Sequence, residues 1–197
     1  MKAPGESFSA QFFEQFYAKN PDPWRFRTSP YERDKYAATL AALPRERYES
    51  AFELGCSIGV LTRILAPRCA RLLSVDGAEA PLAEARQNVV DMPWVEIRRA
   101  HVPADWPEGE SFDLILLSEV LYFLNPADLR TVTDQALRAL RPGGDVVLVH
   151  WLPPAEPPFP QAGDEAVEGF LAHAGDALRP LTARREEQYR LDVLRRA

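Results

Sequence analysis

The spacing of apolar residues at the start of the chain predicts two amphipathic helices. Aromatic side chains recur at helical intervals over residues 7–19, and a second helical pattern covers residues 30–43. The prolines of "NPDPW" separate the two patterns and Pro44 ends the second, because proline removes a backbone donor and restricts the residue before it. Residues 1–44 are therefore predicted to form an N-terminal helical cap.

After this cap, short apolar runs alternate with helical stretches. The run "FDLILLS" is typical of a central parallel strand that is covered on both faces. Predicted strands cover residues 50–54, 71–76, 94–100, 111–118, 143–151, 179–185 and 188–194. Predicted helices cover residues 59–65, 80–90, 125–140 and 164–174, the last of them after the proline-rich stretch "LPPAEPPFPQAG".

This order of elements predicts an α/β fold. Strands that alternate with helices pair in parallel through right-handed crossovers, which leaves a doubly wound sheet with helices on both faces. The last two predicted strands follow each other too closely for a crossover, so we expect them to form an antiparallel hairpin. The chain is expected to be a single domain over residues 1–197, with the mostly parallel sheet of seven strands in residues 45–197.

Composition and charge narrow the class of protein. The net charge of −6 argues against a nucleic-acid partner, which would need a concentrated basic surface. The sequence has no apolar stretch of about 18 residues and no signal-peptide pattern, so no membrane partner is expected. Cys56 and Cys69 have no metal-ligand spacing and make no disulfide framework. These features predict a cytoplasmic protein without a metal, as a monomer or a homodimer.

The turn after the first predicted strand, "ELGCSIG", is the candidate ligand site, because ligands of doubly wound sheets bind beyond the carboxyl ends of the strands. Gly55 and Gly59 would let the backbone approach a ligand. Their spacing differs from the dinucleotide and triphosphate motifs, which disfavours NAD and ATP. Asp76 ends the next strand, where a carboxylate suits ribose hydroxyls. A nucleoside cofactor without a diphosphate, such as S-adenosylmethionine, fits this combination.

Four motifs of the chain together resemble class I S-adenosylmethionine-dependent methyltransferases over residues 50–151: "ELGCSIGVLTRIL", "LLSVD", "FDLILLSEVLYFL" and "LRPGGDVVLVHW". The segments "FFEQFYAKNPDPWRFRTSPYERDKY" and "LSEVLYFL" are similar to the nodulation protein S (NodS) group, which N-methylates an amino sugar of a chitooligosaccharide. The resemblance implies a Rossmann-like methyltransferase sheet and S-adenosylmethionine as cofactor, with S-adenosylhomocysteine as product. It also implies a small-molecule or oligosaccharide acceptor that is methylated on an amine.

The resemblance also implies roles for single residues around the cofactor. Glu53 would contact the methionine end, and Ser118 would bind the cofactor at the end of the fourth strand, where the family positions the methyl acceptor. Either Arg33 or Lys35 would pair with the methionine carboxylate, and Arg33 is preferred for its forked guanidinium. Cys56 is interpreted as a small packing residue of the cofactor turn, since no base is evident beside it.

The adenine end departs from the family pattern. His101 stands where the family often has an acidic residue that holds the adenine amino group. Adenine is therefore expected to contact a backbone group near Val102, the ring of His101, or Asp105. These three possibilities stay open at this point. The cap aromatics have two interpretations, a plain core or a lid over the sulfonium; they are Trp24, Phe26, Tyr31 and Tyr36.

The acceptor is expected beyond the fourth and fifth strands. Glu119 and His150 are the candidate catalytic residues, because either could hold a neutral amine and take its proton. The alternatives are a helix-start charge for Glu119 and a core histidine for His150. Tyr122 and Trp151, together with Trp106, are candidates for substrate binding in an open groove. An O-methyltransferase and a cofactor-binding module without catalysis remain alternative functions.

Overall fold

Two helices form the N-terminal part of the computed structural model, which describes residues 5–155 and 159–197. Helix α1 spans Ala10–Lys19, and the side chain of Ser9 caps it by accepting from the Phe12 backbone N–H. Helix α2 spans Pro30–Ala42, with proline in its first turn and Ser29 as its cap. Both predicted cap helices are confirmed, and α1 begins later than predicted because Ser9 ends the extended segment before it.

The remainder of the chain builds one seven-stranded sheet, as predicted. Its order is β3-β2-β1-β4-β5-β7-β6. The first five strands pair in parallel, whereas β7 is antiparallel to both of its neighbours, β5 and β6. The strands are β1 (Ala51–Leu54), β2 (Leu72–Asp76), β3 (Val95–Arg99), β4 (Phe112–Ser118), β5 (Leu140–Trp151), β6 (Leu178–Arg185) and β7 (Tyr189–Arg196).

Helices cover both faces of this sheet. Residues of opposite parity on each strand enter two separate apolar clusters, since side chains alternate across a strand. Helices α5 and α6 pack on one face, and α2 and α3 pack on the other. The helices that follow α2 are α3 (Val60–Leu65), α4 (Leu82–Asn88), α5 (Pro126–Ala139) and α6 (Gly163–Ala174). None of the helices in the described residues is long and apolar enough to cross a membrane.

Strand β5 is longer than the sequence pattern predicted. It begins at Leu140, directly after α5, and its register against β4 shifts between the pairs Phe112–Leu140 and Leu114–Asp145. The residues in between form a bulge around Gly143, which has a φ of +71°. The sequence pattern placed the start of this strand at residue 143, but the strand begins at Leu140 and continues through the irregularity.

The chain order fixes where a ligand can enter. From β1 the chain proceeds outward to β2 and β3, then returns to β4 on the other side of β1 and continues to β5. The sheet therefore changes winding direction between β1 and β4, and the loops that follow these two strands diverge. A crevice opens at such a switch point, beyond the carboxyl ends of the strands.

Candidate functional site

A cavity of about 470 Å³ lies at this switch point. Its volume is within the range of about 300–1,000 Å³ that is usual for small-molecule sites. One side, the sheet wall, comprises Glu53, Gly55, Cys56, Ser57, Asp76, His101, Val102, Ser118 and Glu119. The other side, the cap wall, comprises Tyr17, Trp24, Phe26, Tyr31, Glu32, Lys35 and Tyr36.

The turn after β1 brings main chain to the cavity surface. Gly55 has a φ of +83°, and a Cβ atom at this position would lie 2.3 Å from Cγ1 of Val120. The backbone N–H groups of Gly55 and Cys56 both donate to the carbonyl of Val75, at 2.8 and 3.0 Å, which fixes the turn against β2. Only glycine meets both conditions at position 55, namely the positive φ and the missing space.

Gly59 has a different role from the one expected. It lies outside the cavity lining, at the N-terminal end of α3, with a φ of +80°. A Cβ atom there would lie 2.9 Å from the Cα atom of Ala85 in α4. The cavity lining does not support the expected cofactor contact of Gly59, which stays a prediction. Its glycine lets α3 and α4 approach each other closely.

Asp76 ends β2 with its carboxylate at the cavity. Oδ2 accepts from the Ser57 backbone N–H and Oδ1 accepts from that of Ala78, both at 3.0 Å. Burial raises the pKa of Asp76 to about 6, although these two N–H groups oppose the shift. Each oxygen of an ionised carboxylate has a further lone pair, so the pair can still accept two hydrogen bonds from a ligand.

Glu53 lies deeper in the sheet wall. It is 1% exposed, and its Oε2 accepts from the hydroxyls of Thr62 and Ser74, both at 2.6 Å. Burial raises the pKa of Glu53, and the two hydroxyls oppose that shift. Cys56 beside it is a buried free thiol whose pKa burial raises well above the usual value, which suits a packing role.

At the other end of the sheet wall, two of the three candidates for adenine recognition reach the cavity. His101 and Val102 line it, whereas Asp105 lies outside the lining and accepts from the His101 backbone N–H at 3.0 Å. Burial lowers the pKa of His101, so its ring is neutral at physiological pH. Asp105 therefore shapes the loop, and His101 and Val102 are left to face a ligand.

A group of three buried charges, the ion triad, joins the cap wall to the sheet wall. The ammonium of Lys35, a residue only 2% exposed, donates to Oε1 of Glu32 at 3.1 Å and also to Oε1 of Glu119. Arg33 was the cation preferred from the sequence. Its side chain is 73% exposed, pairs with Asp34 and lies outside the cavity lining, so the geometry favours Lys35 over Arg33 as the cation at the cavity.

Both oxygens of Glu119 accept hydrogen bonds from protein groups. Its Oε2 accepts from the Tyr122 hydroxyl and from the Trp151 backbone N–H, both at 2.8 Å, while Lys35 occupies Oε1. Burial would raise the pKa of Glu119, but Lys35 outweighs this and the net shift is downward. A carboxylate with occupied oxygens and a lowered pKa is a poor general base. This geometry does not support the catalytic role expected of Glu119.

His150 belongs to the core. It is fully buried, lies outside the cavity lining, and its Nε2 accepts from the Leu121 backbone N–H at 3.1 Å. Burial lowers its pKa to about 4, so the ring is neutral at physiological pH. The ring also packs edge-on against Tyr122, with 5.5 Å between centroids. This buried position outside the cavity lining does not support the catalytic role expected of His150, which stays a prediction.

Comparisons with known proteins give the family of this chain. The sequence profile of the family "Nodulation protein S (NodS)" matches residues 10–150, which include both walls of the cavity. The chain belongs to this family. Nodulation protein S of Rhizobium tropici is 34% identical over 131 residues, which are 64% of this chain and 53% of the relative. The chain thus spans about half the length of the curated relatives it matches.

Solved structures agree with the NodS-family assignment. A candidate methyltransferase from Pseudomonas syringae is 39% identical, with a TM-score of 0.72 over 84% of this chain and 99% of that one. The N-methyltransferase NodS from Bradyrhizobium japonicum WM9, solved with S-adenosylhomocysteine, has a TM-score of 0.80 at 24% identity and covers 96% of this chain and 99% of its own. At that identity the likeness establishes the methyltransferase fold.

Of the three aromatic residues expected to bind substrate in this NodS-family chain, two lie at the cavity and one does not. Tyr122 and Trp151 line the cavity, but the hydroxyl of Tyr122 is held by Glu119. Trp106 is 7% exposed and packs against Phe52, with 5.1 Å between ring centroids. Trp106 is therefore a core residue, and the expected open groove of exposed aromatics does not include it.

Sequence reasoning missed one polar contact of the NodS-family cap. The hydroxyl of Tyr17 in α1 donates to Oγ of Ser57 in the glycine turn at 2.8 Å, and both residues are buried. The only signal was the position of Tyr17 at the end of an aromatic stripe, which predicted a helix face without a partner. This contact links the first cap helix to the main chain that borders the cavity.

Proposed function

We propose that this protein is an S-adenosylmethionine-dependent methyltransferase that methylates an amine of a small molecule. The observation that carries the proposal is the sheet wall, where the Gly55 turn and the Asp76 carboxylate lie at one switch-point cavity. A buried carboxylate with free lone pairs suits the two ribose hydroxyls, and the turn leaves space beside its main chain. The residues present therefore fit this cofactor.

Individual residues would hold different parts of the cofactor. Asp76 would accept from the ribose hydroxyls, and the turn with Glu53 would face the methionine end. His101 and Val102 would face the adenine. The bound group supplies a methyl attached to positively charged sulfur, which is activated without help from the protein. The chain's own contribution is therefore to orient the acceptor and to exclude water.

The charges around the cavity favour a cationic ligand and an amine acceptor. Four carboxylates line it, from Glu32, Glu53, Asp76 and Glu119, against one ammonium, that of Lys35. A surplus of negative charge in a cavity that holds little water attracts both a sulfonium and an ammonium. The relative from Bradyrhizobium japonicum is itself an N-methyltransferase. An amine on a sugar-like or other polar small molecule is the acceptor that agrees with both observations.

The cap would act as a lid in this reaction. Cap-wall side chains cover one side of the cavity, so movement of α1 and α2 would widen the path by which the cofactor enters and leaves. We further propose that the protein acts as a monomer or homodimer in the cytoplasm. Its two cysteines, both of them free thiols, are in keeping with a reducing compartment.

Two measurements test the proposal. Saturating S-adenosylhomocysteine should raise the melting temperature, because a ligand that binds only the native state stabilises it. Labelled methyl transfer should then be assayed across amino sugars, simple amines and phenols. An unchanged melting temperature would overturn the cofactor assignment. Transfer to phenols alone would replace the amine with a hydroxyl acceptor, and binding without any transfer would leave a cofactor-binding module.

A further inference from the structure

Two neighbouring residues of α2 place unsatisfied polar atoms at the cavity. The hydroxyl of Tyr31 and Oε2 of Glu32 are buried and have no hydrogen-bond partner among residues 5–155 and 159–197. Both side chains line the cavity, and Glu32 is 8% exposed. A buried polar atom without a partner costs free energy, so such atoms at a cavity indicate a ligand that completes them.

Glu32 and Glu119 differ in how their oxygens are used. Both carboxylates pair with Lys35, but Glu119 also accepts from Tyr122 and Trp151. Glu32 accepts one hydrogen bond from Lys35, at Oε1. Lys35 Nζ lies 3.0 Å from Oε2 of Glu32 but makes no hydrogen bond with it. One ammonium therefore serves two carboxylates, and Oε2 of Glu32 has a charge contact with that ammonium but no hydrogen bond.

Aromatic rings enclose this corner of the cavity. The Tyr31 ring meets the Trp151 ring edge-on, with 5.6 Å between centroids, and the Lys35 ammonium lies 5.1 Å from the Tyr31 centroid. Rings around a carboxylate suit a group that is positively charged and carries apolar substituents. An ammonium fits best, because it donates several hydrogen bonds and the open positions are a carboxylate oxygen and a hydroxyl.

We propose that Oε2 of Glu32 and the hydroxyl of Tyr31 bind the ammonium group of the acceptor, and that Glu32 removes its proton. This inference rests on the proposed methyltransferase function and names the acceptor subsite. The proton passes from the acceptor nitrogen to Oε2, which leaves a lone pair on a neutral amine, and Glu32 later loses the proton to solvent. The class of acceptor is a primary or secondary amine on a small molecule.

The charge environment of Glu32 suits this task better than that of Glu119. Burial raises the pKa of Glu32, Lys35 opposes the shift, and Glu119 and Asp22 add to it. The net pKa of Glu32 is raised, whereas that of Glu119 is lowered. A base is most effective when its pKa approaches the working pH, so the upward shift favours Glu32. Because Glu32 belongs to the cap, the subsite is complete only while the cap covers the cavity.

The test compares wild type with Glu32→Gln, Tyr31→Phe and the control Asp34→Asn, whose side chain is 70% exposed on the same helix. Glucosamine, ethanolamine and phenylethylamine serve as acceptor probes. Three quantities are measured for each variant: the dissociation constant of S-adenosylhomocysteine, the dissociation constant of each amine in the presence of S-adenosylhomocysteine, and kcat and KM over a range of pH.

We expect Glu32→Gln to weaken amine binding by about 10- to 100-fold. Its kcat should fall by about 10²- to 10⁴-fold, with partial recovery at high pH, where free amine is already neutral. Tyr31→Phe should weaken amine binding without lowering the melting temperature, since it removes only an unpartnered hydroxyl. Both variants and the control should bind S-adenosylhomocysteine within about threefold of wild type, which shows that the fold is kept.

Two outcomes contradict different parts of the argument. If wild type methylates one of the amines and both cap variants keep its amine affinity and pH profile, the subsite is wrong and the methyltransferase proposal stands. If wild type binds S-adenosylhomocysteine but methylates none of the three amines, the amine acceptor itself is wrong. Should Glu32→Gln fail to fold, the amine affinity of Tyr31→Phe decides the question alone.

Discussion

The sheet wall of the cavity consists of main chain and polar side chains that follow the ends of parallel strands, whereas the cap wall consists mainly of aromatic rings around Glu32 and Lys35. The atoms of the sheet wall are fixed by parallel strand pairing on both sides of β1. The cap wall depends on side-chain contacts between elements that are distant in sequence. A ligand between the two walls therefore meets one rigid surface and one that is assembled by docking.

Side-chain and main-chain polar contacts attach the cap to the sheet side. They include the hydrogen bond from Tyr17 to Ser57, the ion pairs of Lys35 with Glu119 and of Arg27 with Glu84, and the acceptance by Glu14 of the Glu79 backbone N–H at 2.6 Å. Of these, only the first two are buried at the cavity. The comparison indicates that the sheet wall is held by strand pairing that does not involve the cap, whereas the cap wall needs the sheet wall as its docking partner.

The largest effect is expected from Lys35→Met, which removes the cation shared by both walls. It leaves Glu32 and Glu119 buried without a counterion, and loss of one partner of a buried pair destabilises by about 3–5 kcal/mol. Urea unfolding at pH 7 and pH 5 measures this, and the loss should shrink at the lower pH as the carboxylates bind protons. The exposed control Arg33→Met should change stability by less than about 0.5 kcal/mol. Equal effects of the two changes would mean that the ion triad does not join the walls.

The next effect tests the rigidity of the sheet wall through Gly55→Ala. The new Cβ would overlap Val120 and the backbone would keep a positive φ, so we expect a loss of about 2–4 kcal/mol in unfolding free energy. Gly109→Ala is the matched control, since its φ is +75° and nothing lies within 4 Å of the added atom. It should lose only about 1–2 kcal/mol. The double variant Gly55→Ala, Val120→Ala should recover the difference, and failure to do so would show that crowding is not the cause.

A third prediction concerns Asp76 and pH. Since burial raises its pKa to about 6, the carboxyl binds a proton as the pH falls through that value, and the affinity for S-adenosylhomocysteine should weaken. The folding stability of the ligand-free protein depends on pH in the opposite direction. The raised pKa contributes stability that is fully present below the unfolded value of 3.8 and is lost as the pH rises through about 6.

Calorimetric titration from pH 5 to pH 8 checks the binding part. Asp76→Ala should weaken binding by about 1.5–3 kcal/mol at pH 7.5, as expected for a lost hydrogen bond to a charged group. The variant should also lose the pH dependence near pH 6. Wild-type affinity in Asp76→Ala would show that the ribose lies elsewhere.

The smallest effect is expected from Tyr17→Phe on the cap wall. It removes one buried hydrogen bond and leaves the Ser57 hydroxyl without its donor, at a cost of about 1 kcal/mol. S-adenosylhomocysteine should dissociate faster, because the first cap helix is less firmly held to the glycine turn. Stopped-flow dissociation measures this, with Tyr48→Phe, a buried tyrosine bonded to Asp145, as the control. An unchanged dissociation rate would mean that α1 does not help to retain the cofactor.

The sequence predicted the sheet wall well, because its residues occupy set places after strands. Gly55 and Asp76 follow β1 and end β2, and the parallel order of those strands brings them to one edge. The packing contact of Gly59 with α4 could not be predicted in this way. The distance of Gly59 along the chain suits a ligand turn, but the contact with α4 that requires a glycine depends on how two helices pack.

The cap wall could not be derived from the sequence, because it depends on the rotation of a helix. Arg33 and Lys35 are two positions apart on α2, which places them on nearly opposite faces. The face that carries Lys35 also carries Glu32 and is buried, but the polar composition of both faces hides this. The position of His150 in the core likewise depends on the short turn after β4. The Leu121 backbone N–H in that turn donates a hydrogen bond to the ring nitrogen Nε2 of His150.

The place of β7 affects how the protein is made. This strand lies between β5 and β6, yet it follows both of them in the sequence, so β5 has an open edge until residues 189–196 have been synthesised. An apolar strand with an unpaired edge is a site for wrong pairing during slow, long-range sheet formation. The gap between β5 and β6 in the sheet can therefore be filled only after both of these strands have been made. Variants that weaken β7 should therefore reduce the yield of folded protein in cells before they affect ligand binding.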